Sequence, residues 1–178
     1  MFDIGGRVTP VVARFKLDLK VLIHQRLDWD DVLPNELRTL WIDNFDMIQE
    51  LGKLRFKRCV IPSDAANLNV FTINMSDATC NIACVAIYAR VLRKNGEYSS
   101  QLVFGRSKIL SDGTTQPKGE LVAGKLNSQS GYVIQRSFGE RFDGCLYMCD
   151  SQVALAWMNN YDRPLNKGVR SQVYDCPT

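Results

Sequence analysis

The stretch from Asn69 to Cys84 limits the possible folds most strongly. Val70, Thr72 and Asn74 alternate with Phe71, Ile73 and Met75, and this period of two predicts a strand with its apolar residues on one side. The strand then runs out into Ser76-Asp77-Ala78. Taking a lone carboxylate out of water costs several kcal/mol, so Asp77 either caps a turn or waits for a cation.

The next residues read as more of the same sheet. Residues 83–93 form a second strand, Lys94-Asn-Gly-Glu a hairpin turn with Asn-Gly at its centre, and Ser99–Ile109 a third strand. Three strands with tight connections make an antiparallel meander. A helix opens near Thr115 or Gln116, either of which suits its cap, and Pro117 fits its first turn. Leu121, Leu126 and Val133 give that helix an apolar face, and Glu120 is expected in its first turn. Gly119, Gly124 and Gly131 each weaken a helix by up to ~1 kcal/mol relative to Ala, which points to close packing there. Phe142–Asp150 is a fourth strand, apolar until it ends in Asp150. Ser151 caps a helix over Gln152–Asn159. Asp150 therefore marks a strand-to-helix junction, the usual place for functional groups in a sheet with parallel strands.

Upstream, residues 10–27 read as a helix with Thr9 as cap and an apolar stripe at Val12, Phe15, Leu19, Leu22 and Ile23. His24, the single histidine, is expected as a surface or capping residue. Asp28, Asp30 and Asp31 lie in a solvated link that lacks the glycine and distal glutamate of a calcium loop. A second helix runs from about Pro34 to Leu51, with Gly52 as its stop. The two helices carry too little apolar surface to stand alone and should pack on the sheet. Phe56–Ile61 alternates and reads as extended.

A net charge of +3 tolerates a polyanion as partner without demanding one. The start, Met-Phe-Asp-Ile-Gly-Gly, lacks the basic and apolar regions of a signal peptide. No apolar run reaches the ~18 residues of a membrane helix. The expectation is an intracellular protein, cytoplasmic or nuclear, with reduced thiols and no membrane partner. Its cysteines include two Cys-x-x-x-Cys pairs, Cys80/Cys84 and Cys145/Cys149. On strands both pairs would face one way and line a core, whereas zinc would favour tighter spacing and more histidine.

Three carboxylates thus stand in comparable settings: Asp77, Glu120 and Asp150. If the first and fourth strands are parallel neighbours, both aspartates leave the sheet at one edge, where a packed helix can present Glu120. Three converging acids repel one another, and divalent cations remove that repulsion. Mg²⁺ takes oxygen ligands and is typically shared with substrate phosphates.

This order of elements is that of the ribonuclease H fold. Ser76-Asp77-Ala78, Glu120-Leu121-x-Ala123 and Cys149-Asp150-Ser151 resemble its Asp, Glu and Asp motifs. With Phe2-Asp-Ile-Gly-Gly-x-x-Thr-Pro-Val, Leu27-Asp-Trp-Asp-Asp-x-Leu-Pro, Arg58-Cys59-Val-Ile-Pro and Pro117-Lys-Gly-Glu-Leu, they resemble the BEL/Pao-type retrotransposon polyprotein where reverse transcriptase joins ribonuclease H. The resemblance implies an α/β fold: a ribonuclease H-like mixed sheet, three antiparallel strands plus a parallel fourth, with an N-terminal two-helix extension. Residues 1–62 would be the helical connection and 63–178 the nuclease-like domain. The implied activity is hydrolysis of RNA in RNA–DNA hybrids with two magnesium ions, or manganese, held by Asp77, Glu120 and Asp150. Lys108 and Lys118 are the candidate substrate-binding residues. The family continues with a fifth strand, a last helix and a fourth acid. Here the sequence stops at Thr178, so a domain without them is expected, with Asp175 the candidate late acid. The free edge of the fourth strand would invite a partner strand. The expected partners are a hybrid or other nucleic acid, the rest of a retroelement polyprotein, or another protein completing that edge. The alternative function is a catalytically inactive fragment that binds protein or nucleic acid.

Overall fold

A computed structural model gives the structure of the chain and describes residues 3, 5–159 and 169. The elements run α1 (Thr9–His24), α2 (Asn35–Leu51), β1 (Val70–Ala78), β2 (Ile82–Leu92), β3 (Tyr98–Ile109), α3 (Gln116–Phe138), β4 (Phe142–Met148) and α4 (Gln152–Asn159), with a single 3-10 turn at Gly139–Arg141. The sheet order is β3-β2-β1-β4. β1 pairs antiparallel with β2, β2 antiparallel with β3, and β4 lies parallel to β1. This is a mixed α/β sheet of three antiparallel strands and one parallel strand, as in a ribonuclease H-like fold. The hairpin between β2 and β3 turns at Gly96, whose φ of 84° suits glycine. Among the described residues β4 is one edge of the sheet.

α3 covers one face. Beneath it lie Val85, Ile87 and Leu126 in one cluster and Ala78, Ala83, Leu110 and Ala123 in another. The β1 residues turned toward it are Val70, Thr72, Asn74, Ser76 and Ala78, all buried. The more polar face of β1 is therefore the covered one. The α3 residues above it are themselves polar: Asn127 and Ser130 are buried, and Asn127 Nδ2 donates to the Asn74 carbonyl at 3.1 Å. The opposite face, with Met75 42% exposed, stays partly open.

The glycines of α3 are explained by close approach. A Cβ at Gly119 would stand 2.8 Å from the Thr79 carbonyl oxygen, and one at Gly124 would stand 3.0 Å from the Met158 side chain. α1 lies along β3 by the same device. Gly6 has a φ of 65°, and any Cβ there would overlap the Gly105 backbone. Lys16 and Lys20 of α1 then donate to the Ser107 and Leu110 carbonyls at the end of β3. α2 meets α1 through Trp41, whose ring stands 5.9 Å from Phe15.

Two expectations are corrected, the place of the cysteines and the cap of α1. Phe56–Ile61, expected to be extended, joins no strand. Its Lys57 carbonyl accepts from the Arg7 and Gln101 side chains rather than from a neighbouring strand. The cysteine pairs do not line a core. Cys80 falls in the turn between β1 and β2 and Cys145 on the edge strand, so both are exposed. Thr115 is the N-cap residue of α3, as expected, without a side-chain hydrogen bond, whereas Thr9 lies inside α1, whose N-cap is Val8. Ser151 does cap α4, its Oγ accepting from Ala154 N at 3.2 Å. His24 ends α1 exposed, 3.4 Å from Asp112. Asp28 and Asp31 accept hydrogen bonds from backbone within their own turn. Among the described residues no helix is long and apolar enough to cross a membrane.

Candidate active site

The parallel pairing of β1 and β4 decides where the aspartates emerge. Met75 and Met148 are Cα partners. Asp77 and Asp150 each stand two residues further on, so both leave the same end of adjacent strands. Asp77 is exposed and accepts from Ala78 N at 2.7 Å.

Glu120 arrives from above. It lies one residue beyond the first turn of α3, not within it, because the helix begins at Gln116. The absent side chain at Gly119 lets the start of α3 settle onto the β1–β2 turn, and this carries Glu120 to the acidic end of the sheet. There Glu120 is only 4% exposed. Gln116 Nε2 donates to its Oε1 at 2.8 Å and to the Ala78 carbonyl. Its Oε2 is buried without a hydrogen-bond partner among the described residues. One ligand atom each of Glu120, Cys149 and Asp150 lie within 4.8 Å of one another.

Burial pushes the Glu120 carboxyl above its ordinary value, and the charges of Asp77 and Asp150 push it further, against the hydrogen bonds from Gln116 and the Ala78 backbone. Burial likewise pushes up the Cys149 thiol, helped by the three carboxylates. Cys84, the Cα partner of Asp77, is raised by burial and then by Asp77.

The donor set fits a hard divalent cation. The carboxylates of Glu120 and Asp150 supply oxygens for it, one of them buried and unpartnered, while the Cys149 thiol stands beside them and Asp77 lies outside this 4.8 Å trio; among the described residues no cationic side chain pairs with these acids. On the face away from α3 an open groove of about 940 Å³ runs from Gly6 and Thr9 past Tyr88 and Leu146 to Asp77 and Asp150. Lys108 and Lys118 are exposed, and neither bonds to the acids. Asp175 lies outside the described residues.

Sequence reasoning undervalues two residues. Gln116, a cap by its position, is instead the brace of Glu120. The four-residue separation of Gln116 and Glu120 on a helix is the available signal. Cys149, a partner of Cys145 by its spacing, instead faces the acids. Among the described residues the cysteines form no metal cluster of their own.

A family model described as the Pao retrotransposon-like RNaseH-like domain matches residues 1–151. The chain belongs to that family. The matched span of this Pao domain takes in both N-terminal helices, the whole sheet and all three acids. No curated protein and no solved structure matches the chain.

Proposed function

We propose that this Pao-type ribonuclease H-like domain is a magnesium-dependent nuclease that hydrolyses the RNA strand of RNA–DNA hybrids. The observation that carries the reading is the buried, unpartnered Glu120 Oε2, close to Asp150 where two parallel strands end in aspartates. Among the described residues no hydrogen bond reaches that oxygen, and a hydrated divalent cation would supply its partner. Asp77, Glu120 and Asp150 would hold two magnesium or manganese ions, which would supply positive charge to stabilise the transition state of phosphodiester hydrolysis.

The chain's own residues do the rest. Gln116 fixes the rotamer of Glu120. The β1–β4 ladder keeps the aspartates side by side. The groove leading to Asp77 and Asp150 receives the duplex, which is selected by shape and by the 2′-hydroxyl rather than by base identity. Lys108 and Lys118 would meet its phosphates. Residues 1–62 would act as the connection to the rest of a retroelement polyprotein.

The test is cleavage of a labelled RNA–DNA hybrid with Mg²⁺, beside an Asp77→Asn variant. The expected result is cleavage that falls at least about 100-fold in the variant. Equal activity in both, or none in either, overturns the enzyme reading.

A further inference from the structure

Magnesium has no use for sulfur, yet a thiol stands among the acids proposed to hold it. The Cys149 Sγ and single carboxylate oxygens of Glu120 and Asp150 lie within 4.8 Å of one another. Glu120 supplies a second, independent pointer, since it is 4% exposed and its Oε2 has no partner. We propose that Cys149, Glu120 and Asp150 form a binding site for a thiophilic divalent cation of the zinc and cadmium class, which competes with magnesium for the carboxylates.

Three protein ligands and one open position are the pattern of a non-structural zinc site. Ligand atoms around a tetrahedral zinc stand about 3.3–3.6 Å apart, given bonds of about 2.0–2.3 Å. The trio therefore has to close by only about an ångström. Glu120 is held by Gln116, so the closing movement falls to Cys149 and Asp150, which lie past the last residue of β4. Thiolate sulfur prefers zinc and cadmium, whereas magnesium takes oxygen alone. On binding, the thiol gives its proton to solvent, and the cation takes the thiolate and two carboxylates. Those carboxylates are then lost to magnesium, so zinc would switch the site off. The inference rests on Glu120 and Asp150 being metal ligands, as proposed above, and needs no hybrid cleavage.

The probe is cadmium alone, titrated into the whole chain with a phosphine reductant, reading the ultraviolet thiolate-to-cadmium absorption. One saturable band is expected. Cys149→Ser should abolish it or weaken binding at least about 100-fold, because changing even an outer partner of a metal ligand costs about 10- to 100-fold. Cys84→Ser and Cys59→Ser should retain it. No band, or a band unmoved in Cys149→Ser, overturns the site. A measurement on the unaltered chain covers the case in which Cys149→Ser fails to fold. Zinc should slow alkylation of Cys149 at least about tenfold, mapped by peptide mass, while Cys59 is unaffected and magnesium does nothing; unprotected Cys149 overturns the site. A cadmium band without hybrid cleavage would remove the nuclease reading and leave this one standing. Cleavage without a band would do the reverse.

Discussion

Gln116 donates to Glu120 Oε1 across one turn of α3, at 2.8 Å, and the same nitrogen reaches the Ala78 carbonyl on β1. One amide thus ties the buried carboxylate to the strand that ends beside Asp77. Gln116→Leu removes both bonds while keeping the bulk. Affinity for Mn²⁺, measured by calorimetry, is expected to fall about 10- to 100-fold. Stability is expected to fall by about 1 kcal/mol. A role confined to packing would lower stability and leave the Mn²⁺ affinity where it was.

Glu120 also gives the metal-free chain a pH signature. Burial, with Asp77 and Asp150, raises its folded pKa above the ordinary 4.5. The folded chain therefore keeps this proton where the unfolded chain has already released it. Its contribution to stability is complete below the ordinary glutamate range and declines as pH rises through the raised value. With chelator present, Glu120→Gln should gain stability relative to the parent as pH climbs through that window, with a constant difference above it. Denaturant midpoints at a series of pH values read the difference. A difference that stays flat throughout, or that runs the other way, contradicts the buried acid cluster.

The strands were legible because each kind of signal was local. Alternation marked β1, Asn95-Gly96 marked the hairpin, and Ser151 marked the start of α4. The alternation of Phe56–Ile61 yields no strand, because a strand needs a ladder partner as well as a period, and here the Arg7 and Gln101 side chains take the Lys57 carbonyl. Which face of β1 is covered was not legible either. Hydrophobicity favours the Phe71, Ile73 and Met75 side, but α3 brings its own polar Asn127 and Ser130 down on the other. The meeting of the acids was legible only as a condition, that β1 and β4 be parallel neighbours. The part of Cys149 depends on where β4 stops, and a sequence does not show strand ends to one residue.

Gly6 and Gly96 separate two costs of adding a methyl group. Both have positive φ, 65° and 84°. A Cβ at Gly96 meets nothing within 4 Å, whereas one at Gly6 would overlap the Gly105 carbonyl. Gly96→Ala should cost only the left-handed strain, about 1–2 kcal/mol. Gly6→Ala should cost about 1–3 kcal/mol more, because α1 must lift off β3. Urea unfolding measures both. Equal losses would mean that α1 does not lean on β3 through this contact.

Gly131 tests how tightly α3 sits on the sheet. A Cβ there would overlap the Tyr147 hydroxyl and stand 2.7 Å from Asn74 Nδ2. Asn74 and Tyr147 are Cα partners on β1 and β4, so the clash falls where the parallel pair that carries both aspartates passes under the helix. Ala is a better helix former than Gly by about 1 kcal/mol, so any net loss understates the overlap. Gly131→Ala should still destabilise by about 1–3 kcal/mol. Tyr147→Phe removes the overlapping oxygen, though its ring carbon remains 2.9 Å from the added Cβ, so the rescue is partial. The double mutant should recover about 1 kcal/mol relative to the sum of the single changes, a coupling expected only between groups in contact. Strictly additive losses would place α3 further from β4 than this structure does.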